Sequence, residues 1–274
     1  MTINLVYLYL ISPLHTGGTT QEGNLLGIAR ESHTDLPYIP SSTIRGKLRS
    51  ETSSNERNKL WGNTIDDVTE RGESNLTQGS LWIGDASILW LPVPSLSHGV
   101  IWVSSPLLLQ RWARLKGRTA ELPQPYSNNF APGQHVYLKD AILKAEDLRT
   151  SISLAAWIPN HAASSIQRVL ILPDQHCATL IQMSLWRQVK VKLDEHKTVD
   201  GGFRYEEAIP PDTLMYFPWG VTSQANGKGG ESSEEFNKLL KQHQVLQIGG
   251  QESLGRGFVQ QWMETQQIGQ ETRK

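Results

Sequence analysis

Three groups of residues in this chain have types suited to phosphate, and a fourth is suited to reaching a partner. Arg45, Lys47 and Arg49 follow a proline-containing turn, with Ser42 and Thr43 just before them. On a helix, residues four apart share a face, so Arg45 and Arg49 would stand one turn apart and reach a single sugar–phosphate stretch. A guanidinium is a planar fork of donors that suits phosphate oxygens. An ordinary solvated helix face fits the same spacing. Arg111, Arg114, Lys116 and Arg118 form a second basic group. The run Gly249-Gly250-Gln251-Glu252-Ser253-Leu254-Gly255-Arg256-Gly257 offers backbone amides free of side-chain bulk, plus one guanidinium. Such a nest can hold a phosphate. It lacks the Lys-Ser/Thr pair of a nucleotide loop, and a tight turn between strands explains its glycines equally well. The fourth group is Asp194, Glu195, His196, Lys197 and Asp200, a polar stretch between two alternating segments. It reads as the tip of a hairpin that reaches a partner or a nucleic-acid strand, or as a decorated surface hairpin.

Other chemistries find no support. The eight histidines are scattered, with no His-Glu-x-x-His and no pair at metal-ligand spacing, so no metal site is expected. There is no nucleophile elbow and no dinucleotide loop. Cys177 is the single cysteine, which excludes an intrachain disulfide and a four-thiolate zinc site and reads as a buried thiol. With 26 basic and 27 acidic side chains the formal charge is −1. That rules out a globally cationic body but not a local cationic stripe, because affinity for nucleic acid follows the phosphates neutralised. The 38% apolar and 19% charged residues argue for a folded chain, and 274 residues suit one large domain or two small ones. Leu5–Ile11 is too short to span a bilayer and has no basic flank, so a cytoplasmic location away from membranes is expected.

The elements that must position these residues are short. Ile3–Ile11 reads as a strand buried on both faces, followed by a long polar stretch with Gly17, Gly18, Gly23 and Gly27. A helix starts near Ile44 under a Ser42/Thr43 cap, with no breaker between Lys47 and Trp61. Ile65–Gln78 reads as a surface loop. Leu81–Leu91 is a strand kinked at Gly84, and Val100–Val103 is another. Leu107–Leu115 is a helix opened by Ser105 and Pro106. Residues 116–134 read as an irregular insertion and 187–207 as the hairpin. Tyr216–Trp219 is a strand, Ser223–Ser233 a loop, Glu234–His243 a helix, and Val245–Ile248 with Phe258–Val259 closes the sheet. Short strands, a few helices and long insertions give an α+β fold.

Several blocks stand out: Pro13-Leu14-His15 with following glycines, Arg30-Glu31-Ser32-His33-Thr34, and Leu36-Pro37-Tyr38-Ile39-Pro40 leading to Arg45-Gly46-Lys47-Leu48-Arg49. Further along come Gly84-Asp85-Ala86 to Ser95, Trp102 to Arg111, Gly201-Gly202 to Pro211, and Leu246 to Phe258. In this order, over nearly the whole chain, they resemble the RAMP superfamily of CRISPR proteins, and more closely the repeated backbone subunit (fourth of the Cmr module) of type III-B effector complexes. The resemblance implies one RAMP domain over 1–274. Its palm would be ferredoxin-like and RRM-related, with a projecting β-hairpin thumb. It implies copies stacked along a guide CRISPR RNA, each holding a six-nucleotide segment of the guide–target duplex for antiviral defence. The implied partners are that guide, complementary target RNA, further copies of the chain and other type III effector subunits. The implied RNA contacts are His15, Ser42, Arg45, Lys47, Arg49, Gly249, Gly250 and Arg256, with Asp194, His196, Lys197 and Asp200 on the thumb.

One departure concerns catalysis. The family carries an aspartate implicated in target cutting eight residues before the histidine of the Arg-Glu-x-His-Thr block, and here that position is Leu25, in a glycine-flanked stretch read as a flexible loop. Leucine cannot hold a metal, orient a 2′-hydroxyl or accept a proton. Serine at Ser41, where the family has glycine, is a smaller departure. The expectation is an RNA-holding subunit with cleavage reduced or absent. A second reading is an active endoribonuclease using Glu22, Glu31 or Asp35 with Mg2+ or another divalent metal. A third is a stand-alone CRISPR RNA-processing endonuclease. No tightly bound cofactor is implied.

Overall fold

The computed structural model describes residues 3–22, 25–71, 75–225, 227 and 229–264. Its strands of three residues or more are β1 (Asn4–Leu10), β2 (Gly17–Glu22), β3 (Leu25–Ile28), β4 (Leu81–Ile83), β5 (Ala86–Ser95), β6 (Gly99–Ser104), β7 (Val169–Ile171), β8 (Trp186–Leu193), β9 (Val199–Ala208), β10 (Leu214–Val221), β11 (Val245–Gln247) and β12 (Phe258–Met263). The helices are α1 (Ser41–Glu51), α2 (Ser54–Trp61), α3 (Ile65–Arg71), α4 (Pro106–Leu115), α5 (Asp174–Ser184) and α6 (Gly229–Gln242).

The larger sheet runs β7-β6-β5-β10-β1-β12-β11, with two-residue strands at Ser127–Asn128 and Arg149–Thr150 beyond β7. β1 lies inside it between β10 and β12, antiparallel to both. Successive side chains of a strand point to opposite faces, and here each face has its own core. Val6, Leu8 and Leu10 enter one core with Ile44, Leu48, Trp61, Phe236 and Leu240, so α1, α2 and α6 cover that face. Leu5 and Tyr7 enter the other, with Leu109, Trp112, Leu154 and Trp157. A strand buried on both faces needs apolar residues at every position, which is why Leu5–Leu10 carries no charge. α4 starts as its sequence dictates: the Ser105 hydroxyl accepts from the Leu108 amide at 3.4 Å, and Pro106 is the first helical residue.

Several expectations need correction. The stretch from Ser42 to Trp61 is two helices, not one. Thr52 leaves the helix with extended backbone, and its hydroxyl donates to the Leu48 carbonyl at 2.7 Å and accepts from Trp61 Nε1 at 2.8 Å. Residues 65–78 contain α3, opened by a capping box in which the Thr64 amide donates to Asp67 Oδ2 at 2.8 Å and the Asp67 amide to Thr64 Oγ1 at 3.2 Å. α6 begins at Gly229, inside the stretch read as a loop. The glycine-containing stretch after Pro13 holds β2 and β3, and Leu25 is a strand residue.

That last difference places the hairpin. A second, four-stranded sheet runs β8-β9-β3-β2. β8 and β9 pair antiparallel, while β9 pairs parallel with β3, matching Tyr205 to Leu25 and Glu206 to Leu26. The outer part of β8–β9 extends past β3 with largely exposed residues, and the inner part is buried at Glu206, Glu207 and Ala208.

Candidate nucleic-acid interface

Glu206 and Glu207 are adjacent on a strand, so their side chains leave opposite faces, yet both are fully buried. Buried carboxylates must be paired, and the partners define the hairpin root. Glu206 receives Lys190 Nζ at 2.7 Å, Arg204 Nη2 at 2.9 Å, Gln251 Nε2 at 3.0 Å and Arg256 Nη1 at 3.1 Å. Burial alone would push the Glu206 carboxyl up, but the Lys190 and Gln251 hydrogen bonds, the Lys190 charge and the Arg204 hydrogen bond hold it below the usual carboxylate range. Glu207 is bonded by Arg30 and, at 3.1 Å, by Arg187. Five cations thus surround two carboxylates, with Asp35 only at 3.8 Å from Arg30. The surplus is positive, and its most exposed members are Arg187 and Arg204.

The hairpin has two unlike faces. Cross-strand partners share a face, so Val189 with Tyr205 and Val191 with Phe203 form an apolar side. Gln188 with Glu206 and Lys190 with Arg204 form a polar side. At the tip, Asp194 accepts from the His196 amide at 2.9 Å and the Thr198 amide at 2.8 Å, and Lys197 sits in the left-handed region at φ 61°. The Thr198 hydroxyl and amide and the His196 amide hold the Asp194 carboxyl below its ordinary range. Asp200 pairs with Lys192 at 2.7 Å. Asp194 and Asp200 therefore shape the tip through these bonds, and the whole tip, with His196 and Lys197, is exposed.

Most of the remaining predicted contacts have partners within the chain. Arg45 and Arg49 do share one side of α1, but Arg45 donates to the Trp61 carbonyl and Arg49 to the Gly62 carbonyl at the end of α2. Arg49 also lies 3.5 Å from Asp67. Lys47 pairs with Glu51 at 2.5 Å, and Ser42 is exposed. His15 is buried, with Nδ1 2.7 Å from the Glu207 carbonyl, while its own carbonyl accepts from the Gly250 amide at 3.0 Å. Gly249 has φ +83°, and a Cβ there would lie 2.4 Å from that same His15 oxygen, so only glycine fits. The loop's amides at Gly250, Leu254, Gly255, Arg256 and Gly257 already donate within the protein, as a tight turn between strands requires. Arg256 is buried, its guanidinium 4.4 Å from the Trp186 ring centre. His15, Gly249, Gly250 and Arg256 thus converge on the hairpin root as its foundation.

The residues that sequence reasoning missed are Arg30, Arg187, Lys190, Arg204, Glu206 and Glu207. Two consecutive glutamates on a strand between apolar residues were the available signal, since at least one had to face inward and be paired.

Leu25 lies half-buried beside Tyr205 in β3, a paired strand where a loop was expected. The Glu22 side chain lies outside the described residues. Glu31 accepts from Arg111 Nη1 at 2.9 and 3.0 Å and from the Thr34 hydroxyl. Asp35 is exposed, in the left-handed region at φ 58°. Among the described residues no three His, Cys, Asp or Glu side chains come together as a metal site. No described helix is long and apolar enough to cross a membrane.

Comparison with known proteins gives a consistent set of relatives. The profile of the RAMP superfamily matches residues 7–260. The chain is 32% identical to the CRISPR system Cmr endoribonuclease Cmr4 of Pyrococcus furiosus, covering 94% of this chain and 95% of that one. The crystal structure of oligomeric Cmr4 from the same organism matches with a TM-score of 0.69 at 25% identity, over 96% of this chain and 98% of that one. A chain of the type III-B Cmr-beta complex in its apo state shares the fold, with a TM-score of 0.73 at 18% identity over 97% and 98% of the two chains.

Proposed function

The chain belongs to the RAMP superfamily, and from that premise we propose that it is a backbone subunit of a type III-B-like Cmr effector complex, holding guide CRISPR RNA and its paired target. The observation that carries this reading is the relationship to a Cmr subunit along 94% of the chain. The hairpin root supports it, because five cations around two buried carboxylates leave a positive surface on a neutral protein. Cations that grip phosphate set affinity without reading sequence, and base identity is left to pairing with the guide. The partners are the guide, the target RNA, further copies of the chain along the six-nucleotide repeat and the other Cmr subunits. The site of action is the cytoplasm.

In this reading the subunit holds target RNA without cutting it. Leu25 supplies no proton acceptor, and Glu31 is tied to Arg111. The test is to assemble the chain with guide RNA and end-labelled complementary target, with and without Mg2+, and to run the products on a denaturing gel. The expected result is a stable complex with intact target. Metal-dependent products at six-nucleotide spacing would overturn the holding reading in favour of cleavage. Failure to retain guide RNA would overturn the functional assignment itself.

A further inference from the structure

We infer that Asp200-Gly201, on the outer part of β9, is a site of spontaneous isoaspartate formation, with the Lys192 ammonium as the group that restrains it. The sequence holds this Asp-Gly step and no other, and Asn226-Gly227 is its one amide counterpart. A regularly paired strand holds an aspartate and the following amide too rigidly for them to meet. Here the ladder is open. Val191 pairs with Phe203 and Leu193 with Val199, so Lys192 alone faces Asp200, Gly201 and Gly202. Such a bulge leaves its extra residues out of the regular pairing. Gly201 and Gly202 have φ of +80° and +96°, and a Cβ on either would meet nothing within 4 Å. All three residues are exposed. A glycine there has the widest choice of backbone angles and no side chain to block an approach.

The step needs only the chain and water. The Gly201 main-chain nitrogen attacks Cγ of the Asp200 carboxylic acid, and a succinimide ring closes. An N–Cγ bond forms, the Cγ–OH bond breaks, and the hydroxyl leaves as water with the amide proton. Water then reopens the ring. Cleavage at N–Cγ returns aspartate. Cleavage between the nitrogen and the main-chain carbonyl carbon leaves the chain running through Cγ, as isoaspartate, with no atom gained or lost overall. Lys192 Nζ lies 2.7 Å from Asp200 Oδ2, and the two side chains are 78% and 49% exposed. The pair ties the carboxylate to β8 across the bulge, so ring closure has to break it, but a pair so exposed is a weak restraint. The product adds one methylene to the main chain of β9 on the tip side of Phe203. It also leaves an α-carboxylate, the group that an isoaspartate-specific methyltransferase esterifies.

The test incubates the purified full chain in near-neutral buffer at physiological temperature, folded and in urea. Isoaspartate is located by digestion and mass spectrometry, which separates Asp200 from Asn226, and counted by methyl transfer from S-adenosylmethionine with an isoaspartate-specific methyltransferase. The expected result is product at Asp200 in the folded chain, forming within about tenfold of the rate in urea. Lys192→Met should raise the folded-state rate about two- to fivefold, the size of an exposed ion pair. Asp200→Glu keeps the charge but closes no succinimide, and should abolish product at this position. Both substitutions lie on the exposed outer hairpin, and circular dichroism checks that the fold is kept. A folded-state rate more than about tenfold below that in urea would mean that the step waits for local opening, and would overturn the site. Product confined to Asn226, or persisting at position 200 in Asp200→Glu, would overturn it as well. Equal folded-state rates in the parent and Lys192→Met would overturn the role given to Lys192.

Discussion

The hairpin root and the α1–α2 corner both gather arginines, and they use them in opposite ways. At the corner, Arg45 and Arg49 donate to the carbonyls of Trp61 and Gly62, the unsatisfied end of α2, and Arg49 also faces Asp67. Those guanidinium groups finish a helix and fix its angle to its neighbour. At the root, Arg30, Arg187, Lys190, Arg204 and Arg256 outnumber Glu206 and Glu207, so positive charge is left over at the surface. The difference teaches that spacing alone does not show what a group of cations is for; the acceptors already within their reach decide how much charge is left at the surface.

The comparison breaks most visibly at Glu206. Glu206→Ala leaves Arg256 buried without its carboxylate, and removing one partner of a buried ion pair costs about 3–5 kcal/mol. Urea unfolding should show that loss, and a loss below about 1 kcal/mol would mean that the root is not held by this group. The same site predicts a pH dependence. With its folded-state pKa held below the unfolded value of about 4.3, Glu206 contributes stability above that value and loses it as pH falls through the lower folded value. Glu206→Gln should therefore flatten the acid side of the stability profile below about pH 5.

Arg49→Ala sharpens the other half of the comparison. It removes a donor from the Gly62 carbonyl and a counter-charge from Asp67, and should cost about 1–2 kcal/mol. RNA affinity should change little, since this guanidinium already has acceptors. A fall in affinity and salt slope at unchanged stability would make the corner, and not the root, the phosphate grip. The smallest effect is expected at the tip. Replacing Asp194–Thr198 by a two-residue turn removes only exposed polar groups, so the melting temperature should stay within about 2 °C of the parent. A larger fall would show that the tip helps to hold the body together.

Much of the frame was legible in the residues. β1 carries an unbroken apolar run, α4 carries its own Ser105-Pro106 start, and β8–β9 carry alternation around a polar tip. What stayed hidden has physical reasons. β2 and β3 are disguised by glycines, and at Gly18 glycine is a packing requirement, since a Cβ would lie 2.8 Å from the Ile28 carbonyl oxygen. α3 is polar because it lies on the surface and depends on a capping box instead of an apolar stripe. At the site, the one-turn spacing of Arg45 and Arg49 correctly puts them on one side of α1, but spacing cannot say that α2 ends its carbonyls there. Cys177 is buried, as its small apolar character suggested, and burial raises its thiol pKa far above the ordinary range.

The parallel pairing of β9 with β3 also has a mechanical meaning. β8 and β9 form a cantilever clamped where Glu206 and Glu207 are bonded, and free from Val191 and Phe203 outward. From Gln188, opposite Glu206, to Leu193 the arm is five residues, roughly 17 Å at the rise of a strand. A tilt of about 10° at the clamp would carry the tip by roughly 3 Å on such an arm, while Leu25, paired at the clamp itself, would hardly move. Torque from a ligand pushing on the far end is therefore resisted at the two glutamates, and the residues beside the clamp serve as the fixed reference against which the arm swings.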